Sequence, residues 1–142
     1  MHSTDHPAVR FATAADLTTV ARDNYIPVAR WQQLIERQQA VVAEQAGQTV
    51  GLACFDYLGV VHPYLALIWV AEEHRLHGIG AAMLHVFEDH LRGQGYIVLY
   101  NSSTANEPQA QAWHRHMGFE ECGFIAGLNE GGVGEVLFRK LL

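Results

Sequence analysis

The segment 74–80, HRLHGIG, has two glycines at the point where an apolar run, YLALIWV, gives way to a helical pattern, AAMLHVF. The first backbone N–H groups of a helix have no acceptor within the helix, and the helix dipole adds partial positive charge there. Glycine lets an anion approach such donors closely, because it carries no side chain. Residues 75–81 are therefore predicted to hold a phosphate or diphosphate. Gly78 and Gly80 would give access, and Arg75 would add a forked cation.

Considered alone, this segment is equally compatible with a turn that binds nothing. A tight turn uses glycines for backbone geometry only. A dinucleotide fingerprint needs G-x-G-x-x-G, but only G-x-G is present and no acidic residue follows on a second strand at the right distance. A P-loop needs Gly-Lys-Ser/Thr, which the segment lacks.

A second motif further along the chain favours the phosphate interpretation. Arg75, Gly78 and Gly80 resemble the R-x-x-G-x-G acyl-CoA motif of the GNAT superfamily of N-acetyltransferases. Residues 106–119, NEPQAQAWHRHMGF, resemble the N-x-x-A-x-x-(aromatic)-Y-x-x-x-G-F helix of the same superfamily. The matching residues of that helix are Asn106, Ala110, Trp113, Gly118 and Phe119. The two motifs follow each other in the family's order, with one predicted helix and one predicted strand between them.

The resemblance implies an acetyl-CoA-dependent N-acetyltransferase that forms a single domain over residues 1–142. In that family, acetyl-CoA enters the gap where the strand before the loop splays away from the next strand. The backbone N–H of Val70 would then bond the acetyl oxygen while an amine attacks the thioester directly. Asn106 would contact the pantetheine arm or its surroundings. The residues expected to bind the coenzyme are Val70, Arg75, Leu76, His77, Gly78, Ile79, Gly80, Ala81 and Asn106.

The usual proton donor to the departing thiolate is absent from the second motif. The family has a tyrosine after the aromatic residue, and His114 occupies that position here. Histidine can donate a proton at neutral pH, and it also occurs there in a branch resembling phosphinothricin-type amino-acid acetyltransferases. We therefore predict His114 as a catalytic residue beside Val70. Packing of the ring against Trp113 and Met117 is the alternative.

The group that deprotonates the acceptor amine is not defined by the sequence. Many relatives have a glutamate within the strand before the loop, but YLALIWV has none. Glu72 and Glu73 come after it and also fit an exposed loop. His62 and Tyr64 at its start could line the acceptor end, and deprotonation through water explains the chemistry equally well. Candidate acceptor-binding residues are Tyr25, Trp31, Tyr64 and Glu72, although Trp31 also fits an apolar helix stripe that favours core packing.

Hydrophobic periodicity predicts the element order β-α-α-β-β-β-α-β-α-β-β, an α/β (α+β) fold that matches the resemblance across nearly the whole chain. The GNAT fold implies a mixed, mostly antiparallel sheet of about seven strands with splayed central strands, flanked by about four helices. The predicted strands are 7–11, about 39–45, 49–57, 64–70 and 96–100, followed by GFIAGL and VGEVLFRKLL. Helices are predicted to begin near Thr13 and Pro27, after the glycine loop, and near Pro108.

Composition excludes several classes of function. A net charge of -6 and the single lysine, Lys140, argue against nucleic acid as a partner, including charged tRNA. The chain has no run of about 18 apolar residues and no leader pattern, so we expect a cytoplasmic protein without a membrane partner. Two distant cysteines and nine histidines show no metal-binding spacing, so no metal is expected.

The implied partners are coenzyme A and an amine. The acceptor is expected to be a primary amine of a small molecule or an amino-acid-like molecule, and a protein N-terminus is an alternative. A protein that binds acyl-CoA without catalysis is a further alternative, because the usual tyrosine and the strand glutamate are both missing. Analogy with other proteins of this fold favours a homodimer.

Overall fold

The structure, a computed structural model, describes residues 7–22 and 25–142 of the chain. Its strands and helices are β1 Ala8–Phe11, α1 Leu17–Val20, α2 Val28–Glu36, β2 Ala40–Gln45, β3 Gln48–Leu58, β4 His62–Val70, α3 Ile79–Gly93, β5 Val98–Thr104, α4 Pro108–His116, β6 Glu120–Ile125 and β7 Glu135–Leu141. The seven strands form one sheet in the order β1-β2-β3-β4-β5-β7-β6. With its mostly antiparallel pairing and four α-helices among the described residues, the structure confirms the predicted fold class.

The parallel pairing of β4 with β5 is confined to one position. Tyr64 of β4 lies opposite Tyr100 of β5. By contrast, β5 pairs with β7 along its whole length, from Val98 opposite Leu141 to Thr104 opposite Glu135. The two strands are therefore paired over a much shorter length than β5 and β7 are.

Two compact units make up the chain. The first contains Met1–Asp56 and Leu67–Asp89, and the second contains Tyr57–Ala66 and His90–Leu142. The assignment of residues 1–142 to a single domain stays a prediction. In the first unit, the ring of Phe55 meets that of Phe87 edge to face, with 5.1 Å between the centroids. The fully buried side chains of this unit include Trp31, Val41, Val42, Phe55, Met83, Leu84 and Phe87.

The second unit has its own buried core. Leu91, Leu99 and Phe138 are completely buried there, and Phe119 is nearly so. Alternate residues of β5 contribute to it, since successive side chains of a strand point to opposite faces of the sheet. Asn101 follows Leu99 on the buried face and is itself 1% exposed, which places a polar amide among apolar side chains.

The fifth strand differs from the prediction of 96–100. Tyr96 belongs to the turn that ends α3, where its N–H bonds the Leu91 carbonyl at 3.0 Å and Gly95 has a φ of +91°. The strand begins at Val98 and continues to Thr104 through polar residues. The apolar pattern stops before the strand does, because pairing with β7 rather than hydrophobicity defines its second half.

Candidate active site

The loop after β4 is tied back to the end of that strand. A short 3-10 turn, Glu72–His74, follows the strand and leads into Arg75. The Nε–H of Arg75 donates to the Val70 carbonyl at 2.9 Å. One residue further, Ala71 N–H donates to Val50 on the neighbouring β3 at 2.8 Å. The peptide group that joins Val70 to Ala71 is therefore hydrogen-bonded through both its carbonyl and its N–H. The terminal guanidinium nitrogens of Arg75 carry further donors.

The backbone beyond Arg75 is exposed and left-handed at two positions. Leu76 has a φ of +66° and a fully exposed side chain. Gly78 has a φ of +80°, and no heavy atom lies within 4 Å of the point where a Cβ would stand. His77 between them is exposed. The space beside the Gly78 backbone is therefore open, as an incoming anion requires.

The first turn of α3 supplies backbone donors. Ala82 N–H bonds the Gly78 carbonyl at 3.0 Å, which leaves the N–H groups of Ile79, Gly80 and Ala81 without an acceptor inside the helix. The side chain of Ile79 is 2% exposed, so it anchors this turn in the core. Three such donors and the dipole of a 15-residue helix together favour a bound anion.

A glycine that lies outside both sequence motifs allows this turn to pack closely. A Cβ at Gly51 on β3 would stand 3.1 Å from Met83 Cε, 3.2 Å from Ile79 Cγ2 and 3.2 Å from the Trp69 carbonyl oxygen. Such contacts are tighter than most Cβ atoms make, so the neighbouring atoms would have to shift by a few tenths of an ångström. The signal in the sequence is a glycine inside an apolar strand pattern, which marks a close approach of neighbouring elements.

Replacing Gly51 by alanine is expected to lower the free energy of unfolding by about 1–3 kcal/mol, the usual cost of overpacking a core. Urea denaturation measures this change. Gly93→Ala is the control: it lies within α3 with nothing within 4 Å of the new Cβ, so it should be neutral or stabilising. Equal stability of the Gly51 variant and the wild type would contradict the tight contact.

An apolar cavity lies in the same unit, beside the second half of β4. Its volume is about 180 Å³. It is lined by Val20, Tyr25, Trp31, Leu52, Leu67 and Trp69. Two of the predicted acceptor-binding residues, Tyr25 and Trp31, thus meet at one cavity. Trp31 is also 2% exposed within the core, whereas Tyr25 is 75% exposed at the rim.

His114 lies in the core of the second unit, 6% exposed. Its Nδ1 is 2.8 Å from the amide nitrogen of Asn101, and its ring also donates to the Ser102 backbone carbonyl. Because the amide nitrogen of Asn101 can only donate, the histidine is neutral with its hydrogen on Nε2. The ring packs 5.2 Å from that of Phe138 and 6.1 Å from that of Phe119.

Burial lowers the pKa of His114 below its ordinary value, because desolvation disfavours the charged ring. The bond to Ser102 and the nearby carboxylate of Glu135 oppose this effect without cancelling it. The geometry therefore supports the packing alternative. The role of His114 as a proton donor stays a prediction. In that role, the ring would have to release the hydrogen that it now donates to the Ser102 carbonyl.

Comparison with known families decides the identity of the fold. The model of the Acetyltransferase (GNAT) family matches residues 7–119. The chain belongs to the GNAT acetyltransferase family. The resemblance carried by the two motifs is thereby confirmed, and this GNAT protein is an acyltransferase. No curated protein sequence is similar enough to count as a match.

Solved structures of other acetyltransferases resemble this one over most of its length. The ribosomal-protein-alanine N-acetyltransferase from Brucella melitensis is 27% identical, with a TM-score of 0.77 over 95% of this chain and 99% of its own. Nourseothricin acetyltransferase is 29% identical, with a TM-score of 0.63 over 72% of this chain and 64% of its own. The NatC complex bound to Gag peptide and CoA is 11% identical at a TM-score of 0.81, which shows the fold alone.

The other predicted site residues of this GNAT acetyltransferase lie in separate places. Glu72 is exposed in the 3-10 turn after β4, and Asn106 is exposed in the turn between β5 and α4. The Tyr64 hydroxyl lies 2.5 Å from Ser102 Oγ. None of the three is brought to the cavity lining. Their predicted contacts with coenzyme or acceptor stay predictions.

Across residues 7–22 and 25–142, no cluster of three or more histidine, cysteine, aspartate or glutamate side chains could hold a metal ion. Within the same ranges, no helix is long and apolar enough to cross a membrane. The cytoplasmic location and the homodimer stay predictions for this GNAT protein.

Proposed function

We propose that the protein transfers the acetyl group of acetyl-CoA to the primary amine of an amino-acid-like acceptor that carries an apolar group. Membership of the GNAT acetyltransferase family supports the acetyl-transfer reaction. The acceptor is inferred from one observation, the cavity lined by tyrosine and tryptophan side chains. Free amino-acid derivatives and polypeptide N-termini share this chemistry, so the two sources are separated by experiment.

The proposed coenzyme site uses residues 75–81. The donors of the first helical turn would bond diphosphate oxygens, and the open backbone at Gly78 would let them approach. Arg75 would add charge-assisted hydrogen bonds from its terminal nitrogens. The N–H of Val70 would bond the acetyl oxygen as negative charge develops on it during attack, which lowers the barrier. The amine must be neutral when it attacks, so its proton has to leave first.

The size and lining of the cavity indicate what the acceptor carries. An apolar cavity of about 150 Å³ takes up a group as large as benzene, and this one measures about 180 Å³. Tyr25 at its rim is exposed enough to contact an incoming molecule. An aromatic or branched aliphatic side chain next to the amine therefore fits, whereas a small polar side chain would leave the cavity unfilled.

A thiol-release assay with matched acceptors tests this proposal. Phenylalanine amide should show a kcat/KM about 10- to 100-fold above that of serine amide, since burial of such a side chain contributes about 1.5–3 kcal/mol. Tyr25→Ala should reduce this preference without unfolding the protein, because the side chain is 75% exposed. Equal rates with both amides would exclude the cavity as the acceptor site.

The source of the acceptor follows from the same assay. A peptide that begins with phenylalanine is compared with phenylalanine amide. A higher kcat/KM for the peptide would favour a polypeptide N-terminus, the kind of acceptor that the name of the Brucella melitensis structure indicates for that enzyme. Binding of coenzyme A without thiol release in the presence of any amine would favour the alternative of an acyl-CoA-binding protein.

A further inference from the structure

The backbone of Gly51 on β3 lies against two other elements of the first unit. A Cβ built on this glycine would stand 3.2 Å from the carbonyl oxygen of Trp69, near the end of β4. The same Cβ would stand 3.2 Å from Ile79 Cγ2 and 3.1 Å from Met83 Cε, which both belong to α3. One position of β3 is therefore in close contact with the end of one element and the beginning of another.

The surroundings of Gly51 leave little freedom for either element to move away. The Ala71 N–H donates to the Val50 carbonyl at 2.8 Å, which joins the end of β4 to the residue before Gly51. The side chain of Ile79 is 2% exposed, so the first turn of α3 is packed into the core. The Trp69 oxygen belongs to the backbone and cannot adopt another rotamer. A side chain at position 51 would therefore have to displace backbone atoms by a few tenths of an ångström.

The two elements that contact Gly51 carry the two ends of the proposed coenzyme site. Val70 follows Trp69 at the end of β4, and its N–H is proposed to bond the acetyl oxygen. The N–H groups of residues 79–81, in the first turn of α3, are proposed to bond the diphosphate. Acetyl-CoA contains both groups in one molecule. It therefore binds and reacts best when the two sets of donors lie at the distance that suits the coenzyme.

We propose that Gly51 is a positioning residue that sets the distance between the acetyl-binding end of β4 and the diphosphate-binding turn of α3. This inference rests on the proposed function, because it uses the coenzyme site proposed there. Gly51 would contact neither the coenzyme nor the acceptor. It would act through Trp69 and Ile79, against which its backbone lies, and any larger residue would hold the two elements further apart.

A methyl group at position 51 should change this distance in a defined direction. Contacts of 3.1 and 3.2 Å are closer than most Cβ atoms make, so the free variant should relax by widening the gap between the two elements. Acetyl-CoA, when it binds at both ends, would have to close the gap and restore the close contacts. Part of the cost of overpacking is thereby transferred from folding to binding. A ligand that uses only one end leaves the gap open and avoids this cost.

Gly51→Ala tests the proposal by titration calorimetry with three ligands in the absence of an acceptor. Acetyl-CoA contains both groups, adenosine 5′-diphosphate contains a diphosphate without the thioester, and acetylpantetheine contains the thioester without a diphosphate. The dissociation constant of acetyl-CoA should rise about tenfold in the variant. The dissociation constants of the two smaller ligands should each change by less than about twofold, because each of them uses one end of the site.

The rate of acetyl transfer provides a second readout that a merely structural role would not change. With saturating acetyl-CoA, kcat of Gly51→Ala should fall up to about tenfold, because a thioester that is held at the diphosphate is displaced from the end of β4. With acetylpantetheine, kcat should stay within about twofold of the wild-type value, because this donor can follow β4 as it shifts. A loss of stability alone would leave the ratio of the two kcat values unchanged.

Val41→Ala is the matched control for the loss of stability. Val41 is completely buried on β2, opposite Ala53, so its truncation should destabilise the protein without adding an atom beside Gly51. The affinity of this variant for all three ligands should equal that of the wild type. Gly93→Ala, which should be neutral or stabilising, is the background for every variant if Gly51→Ala alone is partly unfolded.

The outcomes separate this inference from the proposed function. An unchanged affinity for acetyl-CoA in Gly51→Ala, or an equal loss of affinity for either smaller ligand, would overturn the positioning role. The same loss of affinity for acetyl-CoA in Val41→Ala would also overturn it. In each of these cases, binding and transfer by the wild type would still support the proposed function. Failure of the wild type to bind acetyl-CoA would overturn both.

Discussion

Gly78→Val is expected to weaken the binding of coenzyme A about 100-fold, which corresponds to about 2.7 kcal/mol. Gly78 has a φ of +80° and open space where a side chain would stand. A branched side chain disfavours this backbone conformation by about 1–3 kcal/mol and also fills the space through which a phosphate must approach. One or two charge-assisted hydrogen bonds, each contributing about 1.5–3 kcal/mol, should then be lost. Titration calorimetry with coenzyme A measures the change.

The strain of the substitution has a matched control elsewhere in the first unit. Gly47 has a φ of +77° and equally open surroundings, in the turn between β2 and β3. Gly47→Val should therefore destabilise the protein by a similar amount without changing its affinity for coenzyme A. If both variants bind coenzyme A as the wild type does, residues 75–81 do not hold the diphosphate.

A second readout separates loss of the diphosphate site from general damage. Acetylpantetheine carries the thioester but lacks the diphosphate. Gly78→Val should lower kcat/KM strongly with acetyl-CoA and only weakly with acetylpantetheine, because the contacts to the acetyl group remain. Equal losses with both donors would indicate a distorted β4, whose last carbonyl, that of Val70, is held by Arg75.

The strand, loop and helix start around residues 75–81, the proposed coenzyme site, could be predicted from the sequence because their signals are local. An apolar run, two glycines and a helical pattern within a few residues specify a strand, an open loop and a helix start. The end of β5 could not be predicted, since residues 101–104 are polar and are defined as strand by their partners on β7. The loop and the helix start are specified by neighbouring residues, whereas the end of β5 is specified by its pairing with β7, which is distant in the sequence.

Other contacts could not be predicted, because they join residues that are far apart in the sequence. Nothing near Ser102 indicates that Tyr64 and Glu135 lie on either side of it. The environment of His114 is similarly hidden, because Asn101 belongs to a strand and not to the motif that contains the histidine. A motif identifies a position in a family, whereas burial and hydrogen-bond partners decide which protons a side chain can release.

His114→Phe is expected to lower the free energy of unfolding by about 2 kcal/mol. Phenylalanine fills the space beside Phe119 and Phe138 but leaves the Asn101 amide buried without its acceptor, which costs about 1–3 kcal/mol. Adding Asn101→Leu should recover part of this loss, because removing both polar partners is nearly neutral. His116→Phe, at an exposed position of the same helix, is the control and should have little effect. Urea denaturation of the four proteins measures these differences.

The same variant decides between the two roles of the histidine. If His114 donates the proton to the thiolate, kcat of the folded variant should fall 100-fold or more. If the ring is a packing residue, kcat should fall less than about tenfold while the free energy of unfolding still falls by about 2 kcal/mol. Asn101→Leu alone removes the hydrogen bond to Nδ1 and leaves the ring in place. Its kcat therefore separates the effect of losing that hydrogen bond from the effect of losing the ring.

The dependence of stability on pH provides an independent test of the buried, neutral ring. The pKa of His114 is lowered from 6.5 in the folded protein, so the unfolded chain binds a proton that the folded chain does not. The contribution of His114 to the free energy of unfolding is zero well above pH 6.5. As pH falls below this value, the contribution becomes destabilising, at up to about 1.4 kcal/mol per pH unit, until the pKa of the folded state is reached. In His114→Phe, this part of the acid destabilisation should disappear, whereas His116→Phe should retain it. Identical pH profiles in the two variants would show that His114 is protonated as readily in the folded state as in the unfolded chain.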